Sequence, residues 1–364
     1  MGGGQLGRLM ALEARRMGYR TIVLDPADKG PAAQVCDEHL KASLNDPRAA
    51  ATLASRCDVV TMEWELIPFE VLSAVPRAKL FPRAEALRLI QDRLVQRQFI
   101  EEARLPQTAW RPVSSAEELG TAATELGFPC YLKARRAGYD GKGQARIISA
   151  DGLEAAWKAL AGRPSVLEAE VPHARELSVI LARGKDGSVS YFPLAENAHR
   201  DGILHTTLAP APAPPALKAA ALDLAKRAAE ALGHVGVLTA ELFQTGKGTL
   251  LINELAPRVH NSGHFTLDAC VTSQFEQHLR AVLGLPLGGP EQMIPAVMVN
   301  LLGDLWDKGE PRWEAVLSRP DAKLYLYGKS EARPGRKMGH VTFLGKPGKT
   351  YLKEADLLLK ELKA

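Results

Sequence analysis

The spacing of apolar positions changes several times along this chain, and each change marks an element. The stretch opening at Gly2-Gly3-Gly4-Gln5-Leu6-Gly7 and running to Met17 has helical spacing. Residues 21–25, 57–65 and 80–82 read as strands, and residues 84–103 have helical spacing again. Leu105-Pro106 breaks the pattern, and Ser114-Ser-Ala-Glu117 reads as a capping box that starts a helix. Strands are predicted at 130–133, 165–171 and 176–181, then a stiff Ala-Pro connection at 209–215 leading into an alanine-rich helix at 216–232. Two apolar runs, 237–243 and 250–252, flank the short glycine-containing link Gln244-Thr-Gly-Lys-Gly-Thr249, the pattern of a β-hairpin. Pairing them brings Glu241 and Glu254 together. Beyond Gly284 a Pro/Gly-rich stretch marks a boundary. Strands follow at 296–301, 323–327 and 341–344, and a helix at 353–363.

Composition changes this picture little. A chain of 364 residues with 46% hydrophobic content can build more than one core. Its formal charge of +4 comes from scattered cations, which argues against a nucleic-acid binder and suits small anionic ligands. No apolar run reaches membrane-spanning length. Cys36, Cys57, Cys130 and Cys270 lie far apart without a C-x-x-C, so neither a zinc site nor a disulfide framework is expected, and a cytoplasmic setting is the simplest.

Candidate chemistry gathers in a few places. The clustered carboxylates Glu241 and Glu254 call for a cation, and hard oxygen ligands suit magnesium held with nucleotide phosphates. After Glu254 the loop presents Arg258, His260, Asn261 and His264. Lys133 sits on an apolar strand, followed by Arg135-Arg-Ala-Gly-Tyr-Asp-Gly-Lys-Gly-Gln144, whose glycines and cations suit a flap over polyphosphate. The turn at residues 2–7 satisfies G-x-G-x-x-G, where amides at a helix start bind phosphate. Asp25 then reads either as a ribose-binding acid or as a cap. Glu63 and Glu65 close the 57–65 strand, either at a ligand site or in solvent. Lys329, Arg333, Arg336 and Lys337 gather in one loop, as a phosphate monoester requires or as a solvated basic turn would.

The order of these parts resembles the ATP-grasp ligases, and more closely the N5-carboxyaminoimidazole ribonucleotide synthetases. The carrying motifs are Gly4-Gln-Leu-Gly-Arg8, Thr61-x-Glu-x-Glu65, Gly138-Tyr-Asp-Gly-Lys-Gly-Gln144, His199-Arg-Asp-Gly-Ile203, Asn253-Glu-Leu-Ala-Pro-Arg-Val-His-Asn-Ser-Gly-His264 and Arg333-Pro-Gly-Arg-Lys-Met-Gly-His340. The resemblance implies an α/β chain with an ATP-grasp fold: a Rossmann-like domain at 1–95, an ATP-grasp domain at 96–283 with a lid at about 107–170, and a small domain at 284–364. It implies ATP-dependent carboxylation of 5-aminoimidazole ribonucleotide with bicarbonate, through carboxyphosphate, in purine biosynthesis. ATP would meet Arg93, Lys133, the flap Gly138, Tyr139, Asp140, Gly141, Lys142, Gly143 and Gln144, the hinge Glu168, Ala169, Glu170 and Val171, and Glu176, His199, Asn253 and Glu254. Mg2+ would sit on Glu241 and Glu254. The ribonucleotide would meet Gln5, Leu6, Glu63, Asn261, Lys329, Arg336 and Lys337. Tyr139, Asp140, Lys142, Arg258 and His260 would act at the reacting centre. A homodimer is implied, with no nucleic-acid or membrane partner.

A formate-dependent glycinamide ribonucleotide transformylase is the nearest alternative. It resembles Ser-Ser-Gly-Lys-Gly in the flap and carries aspartate at position 261, whereas Tyr139-Asp140 and Asn261 favour the carboxylase. A nicotinamide oxidoreductase would leave the paired acids without a purpose. A nucleotide-binding regulator would be expected to lack one of Glu241 and Glu254. The family also has a strand immediately before the glycine turn, so the sequence predicts that this strand is encoded upstream of Met1.

Overall fold

The computed structural model describes residues 1–136, 143–345 and 348–363. In the first unit, α1 (Gln5–Arg16) buries Leu6, Leu9, Met10 and Ala14 on one face, and its last turn carries Arg15 and Arg16, which suit the negative end of the helix dipole. Strand β1 (Ile22–Leu24) pairs in parallel with β2 (Glu38–Leu40). The segment just before α1 is held on both sides. The Gly2 N–H donates to Leu24 O at 2.9 Å, Glu63 N–H donates to Met1 O at 3.1 Å, and the Met1 amino group donates to Thr61 O at 2.7 Å.

The strand expected at 57–65 is only a single bridge, Val60 to Leu80. Its backbone bonds go alternately to Met1 and to the 79–81 segment, and Pro82 has no N–H with which to extend that ladder. Helix α2 (Pro47–Arg56) is capped by Asp46, and α3 (Phe69–Ser73) follows. The helix expected over 84–103 is two helices, α4 (Ala84–Ile90) and α5 (Arg93–Glu102). Asp92 separates them, because its carboxylate accepts from Leu94 N–H and caps the second.

The next unit is an antiparallel sheet of four strands: β3 (Trp110–Val113), β4 (Cys130–Ala134), β5 (Gln144–Ile147) and β6 (Ser165–Ala169), in the order β3-β6-β4-β5. Helices α6 (Ala116–Leu126) and α7 (Leu153–Ala159) cover it. The capping box is displaced by one residue from the expected pair: Ser115 accepts from Glu118 N–H, and the Glu118 carboxylate accepts from Ser114 N–H. Along β4 the side chains alternate. Cys130, Leu132 and Ala134 are buried in the sheet's core, so Tyr131 and Lys133 point to its other face.

The rest of the chain builds a nine-stranded sheet from β7 (His173–Arg183), β8 (Val189–Tyr191), β9 (Ala195–Arg200), β10 (Ile203–Ala209), β11 (Gly236–Thr245), β12 (Leu250–Ala256), β13 (Ala296–Leu302), β14 (Ala322–Leu326) and β15 (Lys337–Leu344). The order is β12-β11-β7-β9-β10-β13-β15-β14, with β8 beside β7. The last three strands therefore continue the sheet that carries the hairpin. Helix α8 (Pro215–Ala231) packs on one face through Ala221, Leu224, Ala225 and Ala228. Helices α9 (Thr266–Ala269) and α10 (Gln274–Leu283) lie with α1 on the other, around Val259, Phe265 and Phe275. Helices α11 (Glu314–Leu317) and α12 (Gly348–Lys363) cover β13–β15, α12 starting earlier than expected. Leu238, Leu242, Ile252 and Leu255 of the hairpin are at most 1% exposed. At about 1.5–3 kcal/mol for each buried side chain, they anchor it firmly. No helix among the described residues is long and apolar enough to cross a membrane.

Candidate active site

The hairpin pairs β11 with β12 so that Glu241 lies directly opposite Glu254, and the register slips just beyond Glu241. Both acids line a cleft of about 810 Å³ between the two sheets and the N-terminal unit. His260 Nε2 lies 3.1 Å from Glu241. Burial would raise the Glu241 carboxyl, but His260 and His199 hold it well below the usual carboxylate range. Arg93 reaches Glu254 at 3.5 Å. Beside them the Asn253 Oδ1 is buried with no partner among the described residues.

Across the cleft, Lys133 Nζ bonds Glu168 at 2.7 Å and Arg97 Nε bonds it at 2.8 Å. Burial pushes Glu168 up, yet Arg97, Lys133 and Arg93 together keep it well below the usual carboxylate range. Burial also lowers Lys133, partly offset by Glu168. Arg97 was not legible as a site residue. It is fully buried, and besides Glu168 it donates to the carbonyls of Ile252 and Asn253. One guanidinium thus ties the strand before Glu254 to the strand opposite Lys133. Its five fixed donors make this possible.

Glu176 and His199 form a further pair at 2.6 Å; burial lowers His199, but Glu176 more than offsets this and its pKa is raised. Arg258 is bonded by both oxygens of Glu65, and that carboxylate raises its pKa despite burial. Gln274, the buried first residue of α10, accepts from His260 N–H at 2.9 Å and donates to His260 O at 2.7 Å. At the far end of the cleft Lys329 Nζ donates to Lys337 O, and Arg336 donates to Glu331 O.

The glycine turn differs from its expectation. Gly3 N–H donates to Asp25 Oδ2 at 2.7 Å, and Gly4 and Gly7 N–H donate to the two oxygens of Glu63 at 2.6 and 3.0 Å. Asp25 Oδ1 takes Ala27 N–H as well, so this acid is a turn and cap residue. A Cβ on Gly3 would come within 2.7 Å of the Asp25 carboxyl carbon, and one on Gly4 within 2.7 Å of a Glu63 oxygen. The glycines are needed for the approach of the chain's own carboxylates, which leaves these amides no capacity for a phosphate.

Every site residue that the resemblance implies, among the described ones, lines this one cleft: Gln5, Leu6, Glu63, Arg93, Lys133, Gly143, Gln144, Glu168, Ala169, Glu170, Val171, Glu176, His199, Glu241, Asn253, Glu254, Arg258, His260, Asn261, Lys329, Arg336 and Lys337; His264, fully buried, and Asp25 do not. Gly138, Tyr139, Asp140, Gly141 and Lys142 lie outside the described residues.

Three family models match in order along the chain: a ribonucleotide synthetase preATP-grasp domain over residues 1–91, an ATP-grasp domain over 98–275, and a phosphoribosylaminoimidazole carboxylase C-terminal domain over 296–354. The N5-carboxyaminoimidazole ribonucleotide synthase of Brucella melitensis is 47% identical over 94% of both chains. The chain belongs to the N5-carboxyaminoimidazole ribonucleotide synthases. The enzyme of that name from Bacillus subtilis is 43% identical, covering 97% of this chain and 93% of its own. Among solved structures, the Thermus thermophilus synthetase superposes with a TM-score of 0.89 at 43% identity, covering 99% of this chain and 97% of its own. The Aspergillus clavatus synthase, in complex with ADP and 5-aminoimidazole ribonucleotide, superposes at 0.91 with 33% identity, covering 99% and 97%. The fold is therefore ATP-grasp, with an N-terminal preATP-grasp domain and the C-terminal domain of this family.

Proposed function

We propose that this chain is an ATP-grasp ligase that carboxylates 5-aminoimidazole ribonucleotide with bicarbonate, converting ATP to ADP and phosphate. The observation that carries the reading is the cross-strand pair Glu241 and Glu254, facing the same cleft as Lys133 and the basic loop of Lys329, Arg336 and Lys337. The donors fit Mg2+: two carboxylates and a buried, unpartnered amide oxygen on Asn253, all hard oxygens. When bound there, Mg2+ would neutralise charge on the phosphates.

Arg93, Lys133 and flap residues 138–144 would hold the ATP phosphates, Lys133 being kept in place by Glu168. Residues 168–171 would receive adenine, and Glu176, paired with His199, the ribose. Gln5, Leu6, Glu63 and Asn261 would hold the aminoimidazole ribonucleotide, with Lys329, Arg336 and Lys337 at its phosphate. A bicarbonate oxygen attacks the γ-phosphorus, forming an O–P bond as the bond to ADP breaks. Carboxyphosphate then splits into carbon dioxide and phosphate. The ribonucleotide amine captures the carbon dioxide and loses a proton. Arg258 would stabilise the developing anion, and His260, with Tyr139, Asp140 and Lys142, would serve the proton and charge transfers. The flap would keep water from the labile intermediate.

The working unit in this reading is a cytoplasmic homodimer, with domains at 1–95, 96–283 and 284–364. The test is phosphate release from ATP and bicarbonate, with and without aminoimidazole ribonucleotide. Strong stimulation by the ribonucleotide is expected. Turnover supported by formate and glycinamide ribonucleotide instead would overturn the assignment.

A further inference from the structure

Asn261, in the loop after the hairpin, faces Asn300 on β13, and the two amides bond reciprocally. Asn300 Nδ2 donates to Asn261 Oδ1 at 2.7 Å, and Asn261 Nδ2 donates to Asn300 Oδ1 at 3.0 Å. Asn300 Nδ2 also donates to the backbone carbonyl of Leu204 at 2.7 Å. A backbone carbonyl only accepts, so the Asn300 amide cannot be turned over without losing that bond. Both of its hydrogens are then used, one on Leu204 and one on Asn261. Asn300 is 1% exposed and Asn261 6%. Asn261 lines the cleft, and Asn300 does not. Asn300 stands opposite His340 on β15, the strand that begins at Lys337.

We propose that Asn300 is a positioning residue that decides which end of the Asn261 amide meets the ribonucleotide, and that it selects asparagine over aspartate at position 261. This rests on the functional reading above. With Asn300 locked by Leu204, the residue at 261 must offer a donor to Asn300 Oδ1 and an acceptor to Asn300 Nδ2 at once. An asparagine does so in one orientation only. It keeps one N–H and one oxygen lone pair in reserve, each in a defined place at the cleft. An aspartate would set a second carboxylate oxygen against Asn300 Oδ1, with no proton between them.

The test is a double-mutant cycle with Asn261→Ala and Asn300→Leu, read as separate KM values for ribonucleotide and ATP. Asn300→Leu should raise the ribonucleotide KM roughly ten- to a hundredfold, the effect of leaving a buried amide unpaired and free to turn, with the ATP KM within about twofold. If Asn300 acts through Asn261, adding Asn300→Leu to Asn261→Ala should change the ribonucleotide KM by less than about twofold. Multiplicative effects, an equal rise in the ATP KM, or an unchanged ribonucleotide KM would each overturn the proposal. Should Asn300→Leu not fold, Asn300→Ser removes the amide with less bulk and is judged by the same criteria. A wild-type enzyme without ribonucleotide-stimulated phosphate release would overturn the functional reading itself. Normal wild-type turnover with an additive cycle would overturn only the role of Asn300.

Discussion

The glycine turn at residues 2–7 and the β11–β12 hairpin both carry patterns associated with nucleotide phosphates, and the fold treats them in opposite ways. In the turn, the amides of Gly3, Gly4 and Gly7 are all taken by Asp25 and Glu63. A phosphate arriving there would find its donors used and two carboxylates in its way. In the hairpin, Glu241 and Glu254 face a cleft that also holds Lys133 and the basic loop, and Asn253 Oδ1 has no partner among the described residues. Helix-start amides bind anions only where the chain leaves them open. Here the turn presents Gln5 and Leu6 to the cleft, and the hairpin presents Glu241 beside His260, Glu254 beside Arg93, and the unpartnered Asn253 Oδ1.

Four experiments would break or sharpen this contrast. The largest effect belongs to the hairpin. Glu254→Gln keeps the side-chain shape and removes a negative ligand, and turnover should fall about a hundredfold or more. Phosphate release at saturating magnesium reads this directly; near-normal rates would mean that the hairpin's carboxylates are not the groups that matter.

The second effect probes the joint between the two regions. His278 Nδ1 accepts from Val237 N–H on β11, and its Nε2 meets Thr61 Oγ1 beside the turn. Burial lowers its pKa to about 3. The folded value lies below the unfolded 6.5, so the unfolded chain binds more protons as the pH falls. Stability is therefore complete above pH 6.5 and declines between there and about 3. This one group should remove about 2 kcal/mol at pH 5 relative to pH 7. Buried His234, His264 and His340 are lowered in the same way, so urea unfolding at both pH values should show a larger total loss in the wild type, and in His278→Gln that loss should be smaller by about 2 kcal/mol.

Third, Arg336→Ala should raise the ribonucleotide KM about tenfold or more while the ATP KM stays put. A rise in the ATP KM instead would show that the two ends of the cleft have been exchanged.

The smallest effect belongs to the turn. Asp25→Ala frees the Gly3 and Ala27 amides and should cost about 1 kcal/mol of stability, as the loss of a cap does. Its ATP KM should be unchanged, as steady-state kinetics can show. A clear rise would return the turn to the nucleotide site.

Much of this arrangement is legible in the sequence. The period-3.6 pattern from Gln5, the apolar runs flanking Gln244-Thr-Gly-Lys-Gly-Thr249, and the alanine-rich helix after Pro215 all follow from side-chain spacing and turn residues, which act over a few positions. The alternation along β4 likewise puts Lys133 on the face away from Leu132. Expectations failed where a distant partner intervened. The 57–65 segment was apolar enough for a strand, but its neighbours, Met1 and residues 79–81, allow only a bridge. Asp92 broke an otherwise helical run because its carboxylate caps α5 and is bonded by Arg135 and Arg136.

By itself, then, the sequence determined many of the helices and strands and the facing of Glu241 and Glu254, because these depend on local periodicity or on one short turn, while the residues offered to the cleft were legible only through the resemblance of its motifs to a family. Only the tertiary structure decided which polar groups remain available there. Asp25 and Glu63 close the glycine turn, Arg97 joins Glu168 to the carbonyls of Ile252 and Asn253, and Asn300 orients Asn261. Arg97 and Asn253 are 156 positions apart in the chain. No pattern of nearby residues encodes such a bond, since a buried donor takes whatever acceptor the packed chain brings within reach.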